Sequence, residues 1–243
     1  MNKNFCVSLS SIPSRFDKVH NTIDSILNQT VRPKKIYLNI PYSYRRFPNA
    51  NVDINLKNDL LEIVRCDDFG PGTKLMGSLD LIKEYNFVII IDDDHYYHHS
   101  MCEKFLNAYL ENSNAIYSFY VYKLLDLWIG QGADGLLINK EFLYNNEDLP
   151  NMCLSSFYDK YVKNNDRLFL NDDLWMAIYF SKFLRKEIIS LSNILPLDDY
   201  LQKQLIYKIH NNKDSLLNTY SNDFQEAVNI RNLISEEEYK KFI

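Results

Sequence analysis

Three consecutive aspartates, Asp92, Asp93 and Asp94, close the apolar run FVIII at residues 87–91, and a second acidic pair, Asp172 and Asp173, opens the stretch NDDLWMAIYFSKFLRK at 171–186. Like charges at the end of a buried strand repel one another and are pushed toward protonation unless a cation or hydrogen-bond donors are present. Hard divalent ions such as Mg²⁺ or Mn²⁺ take one or two carboxylates together with phosphate oxygens. Asp92–Asp94 therefore read as a place where a metal-bound phosphate could sit. Alternate side chains of an extended chain share a side, which groups Asp92 with Asp94 and turns Asp93 the other way. The second pair falls in the first turn of an expected helix. Plainer explanations exist for both: a solvated acidic turn with Asp94 as N-cap of the next segment, and acidic residues complementing a helix dipole. An aspartyl-phosphate nucleophile fits less well, because His95, Tyr96 and Tyr97 are too bulky for close backbone approach to a phosphate.

Lys74 follows Gly70-Pro71-Gly72 at the start of an expected helix. Glycines allow close backbone approach, and helix N-terminal amides favour anions, so Lys74 is a candidate anion contact or else an exposed first-turn lysine. Arg45 and Arg46 could reach an anion, although paired loop arginines are commonly solvated. His95, His98 and His99 have some metal-ligand spacing, yet only Cys102 comes nearby. Trp128 and Trp175 both sit in apolar strings and read as core. Cys6, Cys66, Cys102 and Cys153 are scattered without a CxxC pair, the pattern of isolated reduced thiols rather than of a disulfide framework.

These groups need elements to position them. NFCVSLSS (4–11) reads as a first strand. A helix with Phe16, Val19, Ile23, Ile26 and Leu27 on one face comes next, with Ser14 as N-cap and Asp17 three residues on. KIYLNI (35–40) and LLEIVRC (60–66) are the next strands, and Leu75, Leu79 and Ile82 mark a helix from near Thr73. FVIII has the continuous apolar character of a central strand buried on both faces. Strand–helix alternation to residue 95 argues for an α/β sheet covered by helices, and such sheets bind ligands at the carboxyl ends of their strands. Beyond it, 100–111 reads as a helix, 115–125 as a strand, 132–139 as a turn and short strand, 145–171 as irregular, 171–186 as a helix and 187–191 as a last strand. Segments 198–210 and 223–242 read as a helical tail.

SSIPSRF with TIDSILNQTVRPKKIYLNIP, then GPGTKLMGSL before VIIIDDD, then FLNDDLWMAIYF together resemble the nucleotide-sugar glycosyltransferases of the A fold. The pattern is family-2-like and similar to bacterial and large-virus transferases with a Gly-Pro-x-Thr-Lys segment before DDD. The resemblance covers roughly residues 5 to 185, and it rests on the order and spacing of motifs that are individually weak. It implies a single α/β, GT-A-like (Rossmann-like) domain over 1–195, with a central, mostly parallel sheet flanked by helices. Its nucleotide-binding half would be about 1–99 and its acceptor half about 100–195, with a C-terminal helical tail, 196–243, packed on the domain.

It further implies Asp94 as direct ligand of Mn²⁺ or Mg²⁺ and Asp92 on the ribose or a metal-bound water or as second ligand, with Asp93 in the nucleotide-sugar site as a structural residue turned toward the neighbouring backbone. Ser10, Ile12, Pro13 and Arg15 would hold base and ribose, Lys74 the diphosphate, and Asp134 in GQGADG the sugar. Asn39 stands where an acidic residue often reads the base, a departure that leaves base identity open. Asp173 would be the base of an inverting transfer, with Asp172 its neighbour, and a UDP-sugar the first donor to consider. The acceptor would be a hydroxyl of a glycan, glycoprotein or lipid-linked glycan.

At 243 residues, 46% hydrophobic and net charge −5, the chain can bury a full core and has no basic surface for nucleic acid. MNKNFCVSLSSIPSRF lacks the apolar stretch of a secretory signal, and no apolar run approaches the ~18 residues of a membrane span. A cytoplasmic location is the expectation, the host cytoplasm for a virus-encoded chain. Two other readings stay open. One is a metal-dependent nucleotidyltransferase or hydrolase on a similar sheet, which would need further acidic ligands or an N-terminal glycine-rich phosphate loop. The other is a sugar-nucleotide binding module without catalysis.

Overall fold

In the computed structural model of the chain, the described residues are 4–144, 153–193, 204–205, 214, 216, 219–221 and 223–243. Strands β1 (Phe5–Ser10), β2 (Lys35–Pro41), β3 (Leu61–Cys66) and β4 (Phe87–Ile90) alternate with helices α1 (Val19–Leu27), α2 (Thr73–Met76) and α3 (Leu79–Ile82). Next come β5 (His95–Tyr96), α4 (Met101–Glu111), β6 (Ile116–Ser118), the hairpin β7 (Val121–Leu124) and β8 (Leu127–Gly130), and β9 (Leu136–Asn139). The later elements are α5 (Leu154–Phe157), α6 (Asp166–Phe169), α7 (Asp172–Ile178), β10 (Ile188–Ser190), β11 (Gln204–Leu205) and α8 (Phe224–Tyr239).

Among the described residues the main sheet has seven strands in the order β10-β6-β9-β4-β1-β2-β3. Pairings are parallel except at β9, which runs antiparallel to both β4 and β6. β4 shows why the apolar run is continuous. Val88 and Ile90 join one core with Leu75, Ile82 and Trp175, whereas Phe87, Ile89 and Ile91 join the opposite core with Val7, Ile23, Ile36 and Phe105. Helices α1 and α4 cover the second face, and α2, α3 and α7 cover the first. The expected α/β class with a mostly parallel, helix-flanked sheet and a C-terminal helix is what the chain adopts.

Several local readings change. The first helix starts at Val19 with no side-chain cap, because Pro13–Arg15 instead form a 3₁₀ turn that aims Arg15 at the aspartates. The expected helix from Thr73 breaks at Gly77–Ser78 into two four-residue pieces. The strand-like run 115–125 divides at Phe119–Tyr120 into β6 and β7, only the first of which belongs to the main sheet. The polar stretch before 171 contains α5, which continues as a π-helical turn through Val162, and α6, capped by Asn165. Within 198–210, residues 204–205 form a strand paired with β5; the rest of that expected helix lies outside the described residues. Trp175 is fully buried as expected. Trp128 is not: it is 50% exposed with Lys123 over its ring. All four cysteines are free.

Candidate functional site

The strand-end aspartates and the helix-start aspartates face each other across one cavity of about 330 Å³ at the carboxyl ends of β1 and β4, a size at the small end for ligand sites. Asp92 continues the side of Val88 and Ile90, toward α2, where the Lys74 ammonium is ion-paired with it. Lys74 is only 5% exposed and also lies 3.1 Å from Asp172 Oδ2 on α7. A buried ammonium without partners would lose its proton. Here burial works against the charge, but Asp172 and Asp92 outweigh it and hold Lys74 above its ordinary range.

Asp93 turns to the opposite side, as alternation requires. It accepts from Ser11 Oγ and, at 2.6 Å, from Arg15 Nη1. Asp94 does not rejoin Asp92, because the chain bends at 93–94 and loses its extended geometry. Its carboxylate lies 3.2 Å from Arg15 Nη1 and 2.8 Å from His95 Nδ1. One guanidinium thus bridges two neighbouring carboxylates. Burial pushes Asp93 up against the pull of Arg15. Burial acts the same way on Asp94, but there the His95 hydrogen bond and Arg15 prevail and hold it below the usual carboxylate range. Thr22 Oγ1 lies 2.8 Å from both the Asp93 and His95 carbonyls and pins the bend to α1. Tyr97 fixes the other side: its hydroxyl accepts from the Asp92 N–H at 3.1 Å and donates to Ala133 O at 3.0 Å.

On the facing wall Asn171 caps α7, its side chain accepting from the Leu174 N–H. This places Asp172 and Asp173 in the first turn with their side chains in the cavity. Asp173 Oδ1 accepts from the Gly132 N–H at 2.9 Å, and Oδ2 lies 3.4 Å from Arg231 Nη2 on α8. Burial and the neighbouring Asp172 push its pKa up to about 6, with Arg231, Lys74 and the Gly132 amide pulling the other way. That is a suitable value for a carboxylate that must take a proton near neutral pH.

Gly132 marks the centre. A Cβ built there would lie 3.0 Å from Lys74 Nζ, 3.5 Å from Asp173 Oδ1 and 3.7 Å from Asp92 Oδ1. Only the missing side chain leaves that space open. The Asp92–Asp94 and Asp172–Asp173 motifs carry two more charges than the Arg15, Lys74 and Arg231 groups that contact them. An all-oxygen donor set with excess negative charge beside an open cradle fits a hard divalent cation. Among the described residues no three His, Cys, Asp or Glu side chains converge as a ready-made metal centre. A cation here would therefore draw the rest of its ligands from phosphate or water.

Of the sequence candidates, Ser10, Ile12, Arg15, Lys74, Asp92, Asp93, Asp94, Asp172 and Asp173 line this one cavity. Three do not. Asn39 is fully buried under it, donating to Ser8 Oγ at 2.8 Å and Leu9 O at 3.0 Å, so it is an interior tie between β1 and β2 and cannot touch a base. Pro13 turns outside, and Asp134 is buried behind Gln131 and Ala133, which form the wall instead. Of the glycines before Lys74, Gly70 lines the cavity and Gly72 serves packing. Gly70 has φ +62° against Phe169, and a Cβ on Gly72 would meet Trp175 Cζ2 at 2.6 Å. α2, at four residues, is too short to act as an anion-binding helix terminus. His98 pairs with Ser100 and meets the His99 ring at a tilt of 45°, centroids 4.1 Å apart, so of the three histidines it is His95 that contacts an aspartate.

Arg231, Tyr97 and Gln131 carry no local sequence signal; only the fold brings them in. Arg46 also lines the cavity, donating to Asp214 O at 2.9 Å, whereas Arg45 lies 4.0 Å over the Phe169 ring.

No protein-family model matches the sequence, and no curated protein matches it. Among solved structures, the chain is similar to the galactosyltransferase LgtC in complex with donor and acceptor sugar analogues, at 15% identity and TM-score 0.36 over 56% of this chain and 58% of that one. It is also similar to the apo form of the glycosyltransferase GlyE from Streptococcus pneumoniae TIGR4, at 14% identity and TM-score 0.49 over 99% of this chain and 64% of that one. A second GlyE structure from the same organism gives 14% identity and TM-score 0.46 over 98% of this chain and 64% of that one. The chain thus spans less than two thirds of the length of each of these proteins. No described helix is long and apolar enough to cross a membrane.

Proposed function

We propose that the chain transfers a sugar from a nucleoside-diphosphate sugar to an acceptor hydroxyl, with inversion at the anomeric carbon. The observation that carries this reading is the convergence of Lys74 Nζ, Asp92 Oδ1 and Asp173 Oδ1 on the open space beside Gly132. A cationic group, a strand-end carboxylate and a separate carboxylate near its working pKa meet there, which is what displacement at a carbon bearing a diphosphate requires.

In this reading Asp173 takes the proton of the acceptor hydroxyl as its oxygen bonds to the anomeric carbon. The bond from that carbon to the diphosphate oxygen breaks on the opposite face, and the electron pair leaves with the nucleoside diphosphate. Lys74 and Arg15 meet the phosphate charge, while Ser10, Ile12, Tyr44 and Phe47 offer the adjoining wall to base and ribose. Asp172 keeps Lys74 protonated and in place. A Mn²⁺ or Mg²⁺ ion held by Asp94 or by Asp92, which the bend at 93–94 turns apart, would supply Lewis-acid stabilisation of the departing diphosphate. The acceptor is a hydroxyl of a glycan, a glycoprotein or a lipid-linked glycan, and UDP is the first nucleotide to try.

Thermal unfolding with UDP, GDP, CMP and dTDP, each with and without Mn²⁺, tests the reading on the wild type and on Asp94→Ala. A ligand at 100 times its Kd adds roughly 2.7 kcal/mol, several degrees in midpoint. The expected result is a metal-dependent rise with one nucleotide that disappears in Asp94→Ala. No rise with any of them would overturn the assignment.

A further inference from the structure

Two tyrosines, Tyr120 and Tyr122, stand outside the cavity already described but are joined through backbone to its wall. The chain leaves β6 through Phe119 and Tyr120 and enters β7, so Tyr120 and Tyr122 stand two residues apart on one side of the β7–β8 hairpin. Their rings are stacked, with centroids 6.5 Å apart and planes 28° from parallel. Tyr120 is 46% exposed and Tyr122 half-buried. Their position relative to the site is fixed by backbone. The Gln131 N–H donates to Tyr120 O at 3.2 Å, and Ser118 Oγ donates to the same carbonyl at 3.0 Å. Gln131 lines the cavity, and the next residue is Gly132. Tyr122 lies in the field of Asp173, Arg231 and Asp172: burial first, and then the two carboxylates, push its hydroxyl up to about 12. Its phenol therefore stays protonated, able to donate and accept next to the proposed base.

Tyr122 packs on the core and carries the exposed Tyr120 ring, which presents apolar area to water, and Tyr combines an apolar face with a polar tip. The face suits the C–H side of a pyranose ring, and the tip suits its hydroxyls. The geometry points to a saccharide acceptor subsite on Tyr120 and Tyr122, with the terminal sugar of the acceptor stacked on the pair and its nucleophilic hydroxyl directed toward Asp173. This rests on the transfer reading above and narrows it: the acceptor end that enters is itself a sugar ring, not a peptide side chain or a lipid phosphate. Tyr122 fixes the ring's orientation through its hydroxyl, and Tyr120 supplies contact area.

Saturation-transfer NMR with methyl α- and β-pyranosides of glucose, galactose, mannose and N-acetylglucosamine, in the presence of UDP and Mn²⁺, tests the subsite. Wild type, Tyr120→Ala and Tyr122→Phe are compared, with the UDP-induced rise in unfolding midpoint measured on the same samples. The expected result is saturation of one or more pyranosides that falls at least fivefold in Tyr120→Ala, and changes its epitope pattern in Tyr122→Phe, while the UDP-induced rise is unchanged in both. Saturation that is absent throughout, or present but indifferent to Tyr120→Ala, overturns the subsite; if the UDP-induced rise persists, the donor reading survives that result. A pyranoside signal lost in Tyr120→Ala, without any nucleotide-induced rise in the wild type, sinks the donor reading and with it the claim that the bound sugar is an acceptor.

Discussion

Replacing Asp173 by Asn should make the protein more stable at alkaline pH while abolishing transfer. The side chain is buried beside Asp172, and its pKa is raised from 3.8 to about 6. At about 1.4 kcal/mol per pH unit, ionised Asp173 costs about 3 kcal/mol in the folded state. The sign comes from linkage. A folded-state pKa above the unfolded one means the contribution is favourable below about pH 4 and is lost as pH rises through 6. Asn keeps an oxygen for the Gly132 N–H but forgoes the 3.4 Å contact with Arg231, which reduces the expected gain to about 2 kcal/mol at pH 8, given that half-buried ion pairs contribute modestly. For a chain of this length that is a rise of roughly 4–8 °C in midpoint. At pH 4.5 roughly two thirds of the effect should be gone, since most of the folded-state carboxyl is then protonated. Calorimetry of both proteins at alkaline and acidic pH decides it, alongside sugar transfer. A difference that does not shrink on acidification, or a variant less stable than wild type under alkaline conditions, would refute the electrostatic account of Asp173.

Lys74→Met should destabilise by about 3–5 kcal/mol in urea titrations at neutral pH, because it strands Asp92 and Asp172 without their shared cation; the loss should be smaller in acid, where the carboxylates can protonate. Gly132→Ala should cost about 1 kcal/mol in the same urea titrations, since its Cβ lies 3.0 Å from a Lys74 ammonium that two ion pairs hold in place, and should remove sugar transfer by filling the central space. Trp175→Ala should cost about 3–5 kcal/mol as a buried truncation, whereas Trp128→Ala, half exposed on the hairpin, should change stability by about 0.5 kcal/mol or less; the same urea titrations separate the two.

The parts of the fold legible in the sequence are those whose burial is symmetric or strictly periodic. FVIII could only be a two-faced central strand, and the spacing of Val19, Ile23 and Ile26 could only be one helix face. Alternation also predicted correctly that Asp93 opposes Asp92. It failed one residue later, at Asp94, because Arg15 holds two neighbouring carboxylates only if the chain bends. Trp128 misled because its apolar string is a hairpin with one wet face, which single-sequence hydrophobicity does not reveal. Asn39 misled because an interior polar side chain between two strands has the same sequence context as a pocket residue. α5 and α6 escaped notice because they are single turns held by tertiary packing and an Asn165 cap rather than by an amphipathic repeat. Arg231 was invisible in principle: 58 residues separate it from Asp173, and nothing along the chain encodes that they meet.

The placement of Lys74 has a mechanical side. Its ammonium lies between a carboxylate carried on a sheet strand and another carried on a helix, so it fastens the two walls of the cavity together when no ligand is present. An arriving diphosphate would offer the same ammonium oxygens of the same sign. In the proposed transfer the group that would receive the diphosphate would also release the latch, freeing Asp172 on one wall and Asp92 on the other in a single exchange. Under the proposed transfer, anion entry and loosening of the two walls would be one event, because a single buried ammonium holds both.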